Sequence, residues 1–201
     1  MIARLYPQIV IAVRLLMGTD YLINGANWWF KMITPYPSLS DFATHAPPPD
    51  FVGGLIATGF MFHIVKATEI LTGLALLTNR FVPLALVMTF PVTVSVFLAD
   101  VFLIATVRGF VMGGGALLMN SFLILACLSH YRPMLRMRAQ PDALDGTPAA
   151  HHPETTVRFA QMRMLALPAL GVLALLAGLV MVTWVAVMMA QYAANPRPFG
   201  H

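Results

Sequence analysis

His63, Lys66 and Glu69 sit inside an apolar run long enough to cross a membrane. At 100° per residue, Gly59, His63, Lys66, Glu69 and Gly73 fall on one stripe of a helix. Ionisable groups in hydrocarbon are costly and turn inward, toward a partner or a water-filled cavity. Two kinds of chemistry suit such a stripe. An imidazole or ammonium can donate to an oxygen of a small molecule while a carboxylate carries the proton, which is general acid–base logic. The same groups can equally form an ion-pair and hydrogen-bond network that fixes helix packing. The residues alone leave both open.

Complementary groups lie on the neighbouring segments. The first apolar segment carries Arg14, Asp20 and Asn24. At 1.5 Å per residue, Arg14 lies about 9 Å and Asp20 about 18 Å from its inner end. On the second segment, which runs the other way, Glu69 lies about 12 Å and Lys66 about 17 Å above that end. Matched depth and opposite sign predict the pairs Arg14–Glu69 and Asp20–Lys66, with Asn24 and His63 further out. On the third segment Thr89, Thr93, Val96 and Asp100 share a face, with Arg108 or Lys31 available to neutralise Asp100. On the fourth, Gly113, Ala116, Asn120, Ile124 and Cys127 share one. Such threonine, asparagine and glycine faces are commonly packing surfaces. The candidate site is therefore Arg14, Asp20, Asn24, His63, Lys66, Glu69 and Asp100, read as a small-molecule site or as structural ion pairs. None is assigned a catalytic role.

Five segments can position these groups. The first runs from about Tyr6 to Trp29 and ends in an aromatic belt, Trp28-Trp29-Phe30. The second, about Phe51 to Thr78, is followed by a tight turn at Asn79-Arg80. The third, Phe81 to about Ala105, has Pro83 in its first turn and a kink expected at Pro91. The fourth spans about Phe110 to Tyr131. The fifth, about Arg158 to Tyr192, is apolar on every side. Its small residues Gly171, Ala174 and Gly178 predict packing, on the other helices or, as the favoured occupant, on a partner or second copy. The fold expected is all-α, a four-helix membrane bundle around a polar axis with a fifth helix outside it. Residues 1–138 form the bundle with a proline-rich external connection at 31–50 that can cap its mouth or act as a stiff spacer. Residues 139–157 form a cytoplasmic loop, and 158–201 the fifth helix and external tail.

Composition agrees. Of 201 residues, 59% are hydrophobic and only 10% charged, and the mean hydropathy is +0.77, which describes a polytopic membrane protein rather than a soluble domain. The net charge of +4 comes largely from arginine. Arg132, Arg136, Arg138, Arg158 and Arg163 flank one loop, so that loop is expected in the cytoplasm. The N-terminus and Arg80 then lie inside and the C-terminus outside, in a bacterial inner membrane. This charge reads as topology, with no nucleic-acid partner. The single cysteine, Cys127, excludes an intrachain disulfide. Arg14 and Asp20 interrupt the first apolar segment, so it is expected to be retained rather than cleaved.

Several short motifs in order carry a resemblance. They are Arg14-Leu-Leu-Met-Gly18 with Asn24-Gly25, Lys66-Ala-Thr-Glu69-Ile-Leu-Thr-Gly73, Asn79-Arg80-Phe-Val-Pro83, Pro91-Val-Thr-Val and Tyr131-Arg132-Pro133. Over about residues 8 to 138 the chain resembles the DoxX family of small membrane proteins, and the fifth helix looks like an addition. The resemblance implies a four-helix bundle and an association with redox chemistry, since relatives include small subunits of thiosulfate:quinone oxidoreductase. Relatives commonly place an Asn and a His on the third helix, where this chain has Ser95 and Asp100.

The leading functional expectation is a redox-associated membrane subunit holding a quinone-like molecule beside Arg14, His63, Lys66 and Glu69. The alternatives are a purely structural accessory subunit docked through the fifth helix, and a small proton-coupled transporter. A haem held by two imidazoles needs them at one depth, whereas His63 is mid-span and His130 is at the inner end; neither haem nor a metal site is expected.

Overall fold

The computed structural model describes residues 2–30, 32, 51–104, 107–131 and 157–194. Nearly all of the connections at 31–50 and 139–157, and the tail from 195, lie outside the described residues. The chain is all-helical among these, with five helices long and apolar enough to cross a membrane. In order they are α1 (Ile2–Phe30), α2 (Phe51–Ala57), α3 (Met61–Thr78), α4 (Val82–Leu98) continued by a π-helical turn (Ala99–Ile104), α5 (Val107–Ala126), α6 (Leu128–Tyr131) and α7 (Val157–Ala194).

The second expected helix is broken. Gly59 adopts φ +77°, in the left-handed region that favours glycine. Thr58 Oγ accepts the Met61 N–H at 3.0 Å and donates to the Leu55 carbonyl at 2.6 Å, so the first amide of the new helix is satisfied from two residues before its N-cap, Phe60. Gly59 therefore lies in the break rather than on the stripe. The expected turn at Asn79-Arg80 is present. Asn79 is left-handed (φ 56°), and the Arg80 N–H bonds back to Ala75 O at 3.0 Å, closing α3. The fourth helix also breaks, at Cys127, and the Tyr131 hydroxyl of α6 donates to Pro83 O of α4 at 2.7 Å.

Between membrane helices there is little hydrophobic driving force, so close backbone approach and hydrogen bonds decide packing. α1 and α3 approach through reciprocal glycines. A Cβ on Gly25 would lie 2.9 Å from both Ile70 N and Lys66 O, and one on Gly73 would lie 2.7 Å from Leu22 N and 2.9 Å from Gly18 O. The backbone around Lys66 is thereby pressed against α1 one turn above Asp20. α4 follows α3, α5 packs on α4, and α1 also contacts α5.

α7 corrects the picture of a fifth helix standing outside a finished bundle. It packs on α1 and α5. Gly171 faces Phe122 and Ile9, Gly178 faces Met119 and Leu16, and Met181 sits against Gly115. Ala174 is fully buried, and Ala174, Leu167 and Met181 belong to one core with Val13, Met17 and Phe122. The small-residue stripe assigned above to a partner is thus filled within the chain. What α7 turns outward is a different face, with Leu173, Leu176, Leu179 and Val187 exposed.

Candidate functional site

The predicted cross-helix pairs do not form. Lys66 Nζ instead bonds both carboxylate oxygens of Glu69, at 2.8 and 3.1 Å, three residues along the same helix. Residues three apart on a helix are surface neighbours, and this spacing brings ammonium and carboxylate together without help from α1. Both side chains are buried, at 8% exposure each. Lys66 Nζ also lies 5.4 Å from the centre of the Phe62 ring, in cation–π range.

Asp20, only 2% exposed, accepts a hydrogen bond from Asn24 Nδ2 at 3.1 Å, one turn along α1. It does not ion-pair with Lys66, although both Lys66 and Glu69 lie within its electrostatic range. Arg14 is half-buried, and its Nη1 is buried with no hydrogen-bond partner. Depth alone misassigned both pairs because helix ends uncertain by several residues cannot distinguish a cross-helix neighbour from one on the same helix.

Asp100 lies on the π-helical turn. The extra residue per turn there, a feature frequent at functional sites, sets its side chain against α5: a Cβ on Gly113 would fall 3.0 Å from Asp100 Cβ. Asp100 is half-buried and lies within electrostatic range of Arg108, Lys66 and Glu69. Asp20, Lys66, Glu69 and Asp100 thus form one electrostatic cluster drawn from α1, α3 and the end of α4.

Beside it runs a neutral network, missed by sequence reasoning in one respect. Asn120, Thr89 and Thr93 were seen only as members of polar faces; Tyr21 was not singled out at all. The Thr93 hydroxyl is its centre. It donates to Thr89 O at 3.1 Å and accepts from Asn120 Nδ2 at 2.9 Å. Its remaining lone pair faces the Tyr21 hydroxyl at 2.6 Å, so the phenol is the donor and the threonine is saturated. Asn120 Oδ1 and Thr89 Oγ are buried without a partner, the spare hydrogen-bonding capacity of the axis. Tyr21 adjoins Asp20 one residue round α1, and that adjacency was the available signal.

His63 is not buried in the cluster. It is exposed, in the first turn of α3. Its ring lies 5.5 Å from Trp28 in an edge-to-face arrangement and 5.9 Å from Trp29, and Trp28 meets Phe62 edge-on at 4.6 Å. The aromatic belt therefore closes around the histidine rather than lining the interface alone. Less than one turn deeper on α3 is the buried Lys66. Among the described residues no three His, Cys, Asp or Glu side chains converge to hold a metal.

No protein-family model, curated protein or solved structure matches the chain.

Proposed function

We propose that this chain is a small integral membrane subunit of a redox or respiratory complex, and that it holds a quinone-like headgroup at His63. One observation carries the reading: an exposed imidazole set between two tryptophans, directly outward of a buried charged cluster. An imidazole N–H can donate to a quinone oxygen, and an indole face offers a flat apolar surface for its ring. A ligand that diffuses in the bilayer reaches such a site sideways, without crossing the bundle. Lys66, Glu69 and Asp20 lie behind it and supply charge and exchangeable protons near the reacting oxygen. The electrons come from a partner subunit, as the resemblance to DoxX proteins implies.

Intrinsic fluorescence tests this. With Trp184→Phe removing the third tryptophan, the signal reports only Trp28 and Trp29. A short-chain quinone is expected to quench it saturably. His63→Ala should weaken binding about fivefold, the effect of one hydrogen bond of about 1 kcal/mol. Linear, non-saturating quenching that ignores residue 63 would rule the site out.

The orientation belongs to the same proposal: a bacterial inner membrane with the N-terminus cytoplasmic, set by the arginines that flank 132–163. In a Cys127→Ala background, a cysteine at Ala194 is expected to react with an impermeant thiol reagent in intact cells. Labelling there only after lysis reverses the orientation.

A further inference from the structure

Away from the charged cluster, a furrow runs along the seam between α5 and α7. Two adjoining hollows of about 670 and 720 Å³ share Val180 as a common wall. One is almost wholly apolar, with Phe110, Gly114 and Leu118 on α5 facing Leu176 and Ala177 on α7. The other carries polar groups: Arg108, Thr183, Trp184 and Gln191. Along α5 the apolar part runs from Phe110 to Ser121, a rise of about 16 Å. The hydrocarbon of one leaflet is about 15 Å deep. The furrow thus has one leaflet's apolar depth and a cation at its polar end.

Two details make it more than greasy helix surface. Gly114 has no atom within 4 Å of where a Cβ would lie, so its lack of a side chain serves no helix contact and leaves the trough open. Arg108 is exposed, and Asp100, the carboxylate within its electrostatic range, does not ion-pair with it. Among the described residues its guanidinium forms no ion pair, so it can take an anion, for which its planar fork is suited.

We propose that this furrow binds one anionic phospholipid, with an acyl chain along Gly114 and the phosphate at Arg108. An apolar trough alone would take any chain. The arginine at its end selects the anionic headgroup, and Trp184 and Gln191 line the same hollow. A lipid held here covers the seam between α5 and α7.

The test uses the delipidated full chain in mild detergent and native mass spectrometry. Phosphatidylglycerol and phosphatidylcholine of identical acyl composition are titrated separately. The wild type is expected to retain phosphatidylglycerol about fivefold more tightly, the share one arginine gives toward an anionic lipid. Arg108→Gln should abolish that preference and leave phosphatidylcholine binding in place. Gly114→Leu places its Cβ where no atom lies within 4 Å, fills the trough, and should weaken both lipids. His63→Ala should change neither, which separates this site from the proposed quinone site. Equal retention of the two lipids by the wild type overturns the proposal. So does a preference that survives Arg108→Gln, or retention indifferent to Gly114→Leu.

Discussion

Lys66→Met is expected to destabilise the protein by about 3–5 kcal/mol, the cost of stranding a buried charge by removing its partner. Glu69→Gln should cost clearly less, although it breaks the same ion pair. The difference lies in what surrounds them. Without Lys66, the Glu69 carboxylate is left with Asp20 and Asp100, both acids within the cluster's range. Without Glu69, Lys66 keeps two carboxyl groups nearby, and Asp20 becomes its natural counter-charge. The double variant Lys66→Met/Glu69→Gln should fall short of the sum of the singles, with a coupling of about 0.5–3 kcal/mol. Thermal unfolding in detergent across the four proteins measures this. Equal losses for the two single changes would contradict the picture of one shared cluster.

A second large effect is expected at the crossing of α1 and α3. Gly25→Val and Gly73→Val each force a side chain into backbone atoms less than 3 Å from the first added carbon. Side chains can rotate away from such a clash, but the backbone of an adjoining helix cannot. Overpacking costs about 1–3 kcal/mol where neighbours yield, and here the helices must separate instead. Each variant should lose at least that much, and the separation moves Lys66 away from Asp20. Gly114→Ala, made where no neighbour lies within 4 Å, should leave stability unchanged. Unfolding temperatures and size-exclusion profiles of the three variants provide the comparison. Wild-type stability in Gly73→Val would mean that α1 and α3 do not approach as closely as described.

The residues of the site were legible because charge in an apolar segment is conspicuous. Asp20, Lys66 and Glu69 each announce an inward-facing position, and all three are buried. Their partners were not legible. A lysine and a glutamate three apart can pair along one helix or reach across to others, and choosing requires helix ends known to better than one turn. His63 reads as a member of the buried stripe, yet at 100° per residue it stands about 60° from Lys66 and about 120° from Glu69, at the stripe's edge. It also lies in the first turn of α3, where it is exposed beside the two tryptophans. Tyr21 escaped notice because a tyrosine in an apolar run is unremarkable until its hydroxyl finds Thr93. α7 misled for the opposite reason. Its uniform apolarity hides which face is used, and the small residues that suggest docking are filled by Phe122, Met119 and Leu16 of the same chain.

The outward placement of His63 is what turns a buried ion cluster into a candidate ligand site, and photo-crosslinking tests it most directly. An azido-quinone is illuminated with the membrane-embedded protein, and the labelled peptides are mapped by mass spectrometry. The adducts are expected at Trp28, Trp29 or the outer turns of α3 around His63, and excess unlabelled quinone should suppress them. Adducts spread evenly over the lipid-facing residues of α4 and α7, indifferent to competitor, would show that quinone meets this protein only as it meets any apolar surface.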